Sequence, residues 1–251
     1  MNVFQKKPTF IVHRIDSLPF QFGGGSAQRE PLRAVDWIEI DVRRTKDGML
    51  VVFHDELVST GERAGSLSHE ELDRLGVRSF RHFMNKLPPN LNVVIDVKNS
   101  IDDATAARTE RTWWLVVEAI REVAEGRSIL LTSFDPSVVV RAHEQDDSLR
   151  VGLTTWQGVP LRESIPTAAV FGIDVLGVHI DALRPYGIEL GDSKETITKH
   201  VEMAHRIELQ LACWGGEQLS RSDVEYLIEL GIDAIYVDEQ NMRLVGQSEA
   251  C

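Results

Sequence analysis

The residues with the most chemistry in this chain are three carboxylates at strand-like spacing. Glu39 and Asp41 alternate with Ile38, Ile40 and Val42, and Asp96 lies between Ile95 and Val97. Successive strand side chains point to opposite faces, so the apolar set claims one face and the acids take the other. Glu39 and Asp41 would then stand about 6.6 Å apart along a single face. If that face is interior, leaving acids there without a partner costs several kcal/mol. Three converging oxygen donors suit a hard divalent cation, Mg2+ or Ca2+, better than zinc. The alternative is a buried ion-pair network in which Lys98 with Arg43 or Arg44 satisfies the acids.

Two histidines stand beside this set. His13 ends a first apolar run, and His54 ends a second extended piece and is followed at once by Asp55. A lone histidine at a strand end is most often structural. Two of them flanking a carboxylate triad point to an acid/base pair. His179 has inward parity and reads equally well as a pocket residue or a hydrogen-bonded core histidine. Trp156 and Trp214 fall at strand ends, where they would contact a leaving group or fill the core. Trp113 and Trp114, on a helix, read as packing. Gly23-Gly24-Gly25 lacks the Lys and Ser/Thr of a phosphate-binding P-loop and reads as a flexible loop.

The elements that must position these groups alternate regularly. Eight short β-rich runs occur at 9–13, 36–42, 91–98, 128–134, 150–156, 175–180, 209–215 and 234–239. Helical periodicity separates most of them, most clearly at 103–124, 137–145, 194–206 and 220–230. Asp135-Pro136 and Ser220 supply helix-start signals. Strand–helix alternation argues for parallel βαβ units, and eight of them in 251 residues give the size of an α/β fold of the (β/α)8 TIM barrel type. The outward strand face of such a barrel packs under helices, which sends the charged set inward toward its C-terminal mouth. Lys46-Asp47-Gly48 forms a turn into an extended piece at 49–54, and 55–90 reads as an irregular insertion with a short helix near 70–75. No linker divides residues 1–251, so a single domain with the 49–90 insertion inside it is expected.

Composition narrows the partners. With 27 Lys+Arg against 39 Asp+Glu the net charge is −12, which argues against nonspecific nucleic-acid binding. An anionic substrate would need a local cation. No stretch is apolar for long enough to span a bilayer. The first ten residues lack the pattern of a secretory signal, and two cysteines make no disulfide framework, so a reduced cytoplasmic protein is expected. Oligomeric state is not readable from the sequence.

The block Glu39-Ile40-Asp41-Val42-Arg43-Arg44-Thr45-Lys46-Asp47-Gly48-Met49-Leu50-Val51-Val52-Phe53-His54-Asp55 resembles the Glu-x-Asp, Thr-x-Asp-Gly and His-Asp signature of the glycerophosphodiester phosphodiesterase family. His13-Arg14 is similar to that family's opening pair, Asp96-Val97-Lys98 to its acidic-x-Lys strand, and Ser133-Phe134 and Trp214 to its Ser-Phe and late aromatic. The segment from Gly231 to Asp238 is similar to its closing strand. The resemblance implies a barrel with one divalent metal held by Glu39, Asp41 and Asp96. His13 and His54 would act as acid and base, Arg14 and Lys98 would bind the phosphate of a small-molecule phosphodiester, and Trp214 would contact the substrate. Asp96 with Lys98 is also similar to sphingomyelinase D-like phospholipases, which implies an alternative product, a cyclic phosphate. A third outcome is a barrel that binds phosphodiesters without turnover.

Overall fold

The computed structural model describes residues 2–5, 8–14, 36–124, 126–186, 191–215 and 219–238. The glycine run 23–25, the C-terminal tail and the last residue of the expected 234–239 strand lie outside the described residues. In chain order the elements are β1 (Thr9–Val12), β2 (Trp37–Arg44), β3 (Leu50–Val52), α1 (His69–Arg74), β4 (Arg78–Ser79), α2 (Phe80–Lys86), β5 (Asn92–Val97), α3 (Thr112–Val123), β6 (Ile129–Ser133), α4 (Pro136–Gln145), β7 (Arg150–Thr154), α5 (Leu161–Val170), β8 (Val175–His179), α6 (Lys194–Arg206), β9 (Gln210–Trp214), α7 (Arg221–Leu230) and β10 (Ala234–Val237). The hydrogen-bonded order is β1-β10-β9-β8-β7-β6-β5-β2, with β1 pairing again with β2. This is the strand order of the expected (β/α)8 barrel. None of the helices among the described residues is long and apolar enough to cross a membrane.

Two compact units divide the described residues. The first draws on Met1–His13, Arg29–Trp37 and Arg150–Cys251. Its parallel register pairs Val12 with Val237 and His179 with Trp214, so the residues at the C-terminal strand ends come level. The expected starts of α4 and α7 are borne out. Asp135 accepts from the Ser137 N–H at 2.8 Å ahead of Pro136, and Ser220 and Asp223 form a reciprocal capping box. At the other end of α7, Gly231 takes the left-handed conformation, φ +84°, that closes the helix. The helix α5 escaped the periodicity reading because Pro166 lies inside it and its polar residues break the pattern.

The second unit draws on Arg14 and the described residues of 38–149. Ile38, Ile40 and Val42 of β2 and Val93, Ile95 and Val97 of β5 are buried, each side chain contributing about 1.5–3 kcal/mol. Backbone bonding from Lys98 N–H to the Val42 carbonyl, 3.0 Å, sets β5 against β2. β3 returns antiparallel on β2 with Val52 opposite Val42, and β4 adds to β3. The insertion is more ordered than expected: Val51, Val58, Ala64, Leu67, Leu72 and Val77 make a small core of their own beneath α1, and α2 follows β4. The expected 103–124 helix starts only at Thr112. Asp103 is buried and accepts from the Thr112 N–H at 2.9 Å and its hydroxyl at 2.7 Å, so the preceding chain is held in two 3₁₀ turns. β2 also runs two residues past the expected end, to Arg44.

Candidate active site

The strand alternation delivers the three acids as expected. Glu39, Asp41 and Asp96 are 4%, 1% and 5% exposed, and one carboxylate oxygen from each lies within 4.8 Å of the others. Lys98, two residues beyond Asp96 and so on the same face, places its Nζ 2.5 Å from Asp96 Oδ2 and 3.0 Å from Asp41 Oδ1. Thr132 of β6 donates its hydroxyl to the other Asp96 oxygen at 3.2 Å. The expected ion-pair partner is therefore Lys98. Arg43 and Arg44 turn elsewhere: Arg43 donates twice to the His54 carbonyl, at 3.0 and 2.8 Å, and Arg44 approaches Asp103 at 3.5 Å.

One lysine does not satisfy three acids. When all are ionised the cluster keeps a formal excess of two negative charges, and Asp41 Oδ2 is buried with no hydrogen-bond partner. Burial, then repulsion from Asp41 and Asp96, pushes the Glu39 carboxyl well above the usual carboxylate range. Burial likewise raises Asp96, against the pull of Lys98. Burial alone would lower the Lys98 ammonium, but Asp96 and Asp41 more than reverse it and hold it above the usual lysine range. A hard oxygen-donor set with an orphaned carboxylate oxygen and unrelieved negative charge fits a divalent cation.

His54 is delivered by a turn. Thr45 Oγ donates to Asp47 at 2.5 Å and accepts from the Met49 N–H at 2.9 Å, while Gly48 takes φ +80°. The turn returns β3 along β2, and the Phe53 N–H continues the pairing to the Asp41 carbonyl at 2.9 Å. Nδ1 of His54 meets Asp55 Oδ1 at 2.7 Å, and its Nε2 faces the Arg14 guanidinium. A guanidinium only donates, so Nε2 is the acceptor and Nδ1 carries the ring proton. Burial lowers the His54 pKa, partly offset by Asp55. Arg14 holds a left-handed backbone, φ +49°, in which its N–H donates to Glu39 Oε2 at 2.8 Å. For a non-glycine residue that conformation costs about 1–2 kcal/mol. The structure thus brings together six of the expected site residues: Glu39, Asp41, Asp96, Lys98, His54 and Arg14.

His13 and Trp214 belong to the first unit, each with its own anchors. His13 follows β1, and its N–H bonds the Val237 carbonyl at 3.0 Å. Its Nδ1 lies 3.0 Å from Asp238 Oδ1, and Tyr236 meets the ring edge-on at 6.1 Å. Trp214 donates its indole N–H to the Thr155 carbonyl at 3.2 Å and stacks edge-on with His179 at 4.6 Å. His179 Nδ1 accepts from the Asp181 N–H at 3.2 Å, which favours its core role. Sequence reasoning missed Asp238 as the partner of His13, Thr132 as a holder of Asp96, and Arg43 as the anchor of His54. Thr132 was readable from inward parity; the other two depend on register and on a turn.

Fold and site together define a (β/α)8 barrel with a buried acidic cluster suited to a hard cation. Residues 33–242 match the Glycerophosphoryl diester phosphodiesterase family, so the chain belongs to it and is a phosphoric diester hydrolase of the glycerophosphodiester phosphodiesterase kind. It is 24% identical over 247 residues to a glycerophosphodiester phosphodiesterase of Caldanaerobacter subterraneus subsp. tengcongensis, covering 93% of this chain and 95% of that protein. Its fold is similar to a glycerophosphodiester phosphodiesterase from Parabacteroides distasonis, with TM-score 0.74 and 17% identity over 97% of this chain and 98% of the other. It is equally similar to an Oleispira antarctica phosphodiesterase in complex with the product sn-glycerol-3-phosphate, with TM-score 0.74 and 15% identity over 96% and 97% of the two chains.

Proposed function

We propose that the protein hydrolyses a glycerophosphodiester to an alcohol and a phosphomonoester, using one divalent cation, Mg2+ or Ca2+, and a pair of histidines. The observation that carries the reading is the buried Glu39–Asp41–Asp96 cluster with its unsatisfied Asp41 oxygen. These three residues would hold the cation, which supplies Lewis-acid stabilisation of the charge developing on a phosphoryl oxygen. His54, with its proton on Nδ1 and its pKa lowered, is suited to take a proton at Nε2 from an attacking water. As that oxygen bonds to phosphorus, the bond to the alcohol breaks and His13 gives the leaving oxygen a proton. Arg14 and Lys98 would contact the phosphate. Lys98 spends two of its three N–H groups on Asp41 and Asp96, which leaves one for a phosphate oxygen. Trp214 would flank the alcohol portion.

The test is turnover of glycerophosphocholine with Mg2+ or Ca2+ in the parent and in H13A and H54A. Each variant is expected to lose about 10²–10⁴-fold in kcat with an unchanged melting temperature. Activity within threefold of the parent would remove the assigned roles. Phosphorus NMR of the parent reaction should show a monoester; a persisting cyclic phosphate would instead place the chain with the lyase chemistry.

A further inference from the structure

His54 has its carboxylate in the next residue, but the partner of His13 comes from the far end of the chain. Parallel register sets Val12 beside Val237, so the residues that follow, His13 and Asp238, leave their strands at the same height. The His13 N–H to Val237 carbonyl bond locks that alignment at 3.0 Å. Asp238 Oδ1 then meets Nδ1 of His13 at 3.0 Å, and the other carboxylate oxygen is buried with no hydrogen-bond partner among the described residues. Tyr236, two residues earlier on the same face of β10, closes the ring's edge. Among the described residues this half-buried carboxylate makes one hydrogen bond, to an imidazole, which is little use as a structural tie.

We propose that Asp238 is the positioning residue of His13: it keeps the ring proton on Nδ1 and so confines proton exchange to Nε2, the nitrogen from which His13 protonates the leaving alcohol. This inference rests on the two-histidine reading above. The step is balanced as there: the proton leaves His13 Nε2 for the departing alkoxide, and Nδ1 retains its own proton on Asp238. An amide at position 238 can present its NH2 to Nδ1, which moves the remaining ring proton to Nε2 and leaves a neutral, poorly acidic donor. In other enzymes, loss of an orienting carboxylate of this kind lowers kcat by up to about 10⁴-fold.

The experiment compares D238N with the parent on two esters of glycerol 3-phosphate, one with choline and one with p-nitrophenol. The phenolate leaves without protonation, so it does not need the acid. D238N is expected to lose at least about 10²-fold in kcat on the choline ester, with KM unchanged, and to stay within threefold on the p-nitrophenyl ester. Equal losses on both esters, or no loss on either, overturn the proposal. Should D238N not fold, nitrogen NMR of the parent decides it: the neutral His13 ring is expected to carry its proton on Nδ1, and finding it on Nε2 overturns the assignment. A parent that cleaves neither ester overturns the two-histidine reading itself, a result distinct from loss of leaving-group selectivity in D238N.

Discussion

The molecule buries carboxylates in two ways, and the contrast separates architecture from chemistry. Asp233, fully buried just ahead of β10, accepts from the Leu211 N–H and from His205 Nε2, both at 2.8 Å, with Gln210 at 3.4 Å. Gln210 in turn grips the Val3 and Phe4 N–H groups at 2.7 and 3.1 Å, so this acid organises the start of the chain. Its donors come from both sides, and its charge is spent. Asp41 is as deeply buried, yet among the described residues its carboxylate meets Lys98 alone, at one oxygen, and shares its surroundings with Glu39 and Asp96. Depth of burial is the same; donor count differs. The satisfied acid is a strut, while the unsatisfied one keeps the unspent charge that the proposed cation would meet.

The sharpest way to break this comparison is to neutralise one acid of each kind. D41N is expected to lose at least about 10²-fold in kcat, since even outer-shell partners of metal ligands carry 10–100-fold effects. It should also lose the response to metal. In the parent, Mg2+ or Ca2+ at 100 times its Kd, added to chelator-treated protein, should stabilise by about 2.7 kcal/mol. At about 2–4 °C per kcal/mol for a chain of this size, calorimetry should resolve the shift easily. A D41N protein stabilised as much as the parent would place the cation elsewhere.

D233N reverses the pattern. Replacing the acceptor of several buried donors costs about 1–3 kcal/mol and lowers the denaturation midpoint, with kcat within threefold of the parent. A D233N enzyme of normal stability but poor turnover would collapse the distinction between the two acids. The smallest effect concerns His179. Burial lowers its pKa, so the folded protein binds its proton less readily than the unfolded chain does. Its contribution to stability is present above the unfolded value near 6.5 and is lost as pH falls from there toward the folded value. The slope is at most about 1.4 kcal/mol per pH unit for one proton. Urea midpoints from pH 7.5 to 5.5 should fall less in H179Q than in the parent; an equal fall would assign the acid sensitivity to other groups.

What the sequence disclosed followed periodicity and local spacing. Alternation in β2 and β5 disclosed the barrel strands, the inward acids and the companionship of Lys98, because a period of two is fixed by the backbone. The Lys46-Asp47-Gly48 turn was legible because Asp and Gly are turn formers, while the Thr45 hydroxyl that ties it together showed only in the structure. What stayed hidden depended on distant register or on broken patterns. Asp238 reaches His13 only through the β1–β10 pairing. α5 hid behind Pro166, and the 3₁₀ turns before α3 are dictated by Asp103, a buried side chain that no helical period reveals.

The hairpin made by β2 and β3 has a consequence for how this enzyme can change. It carries Glu39, Asp41 and His54 on one continuous ribbon, with Arg43 clasping the His54 carbonyl from within the same ribbon. The proposed proton acceptor and two of the three proposed cation ligands therefore share one two-stranded piece of backbone. The segment after Asp55 packs its own small core onto Val51 and Phe53 of this same ribbon, so a change of shape there is felt first by the strand that carries His54.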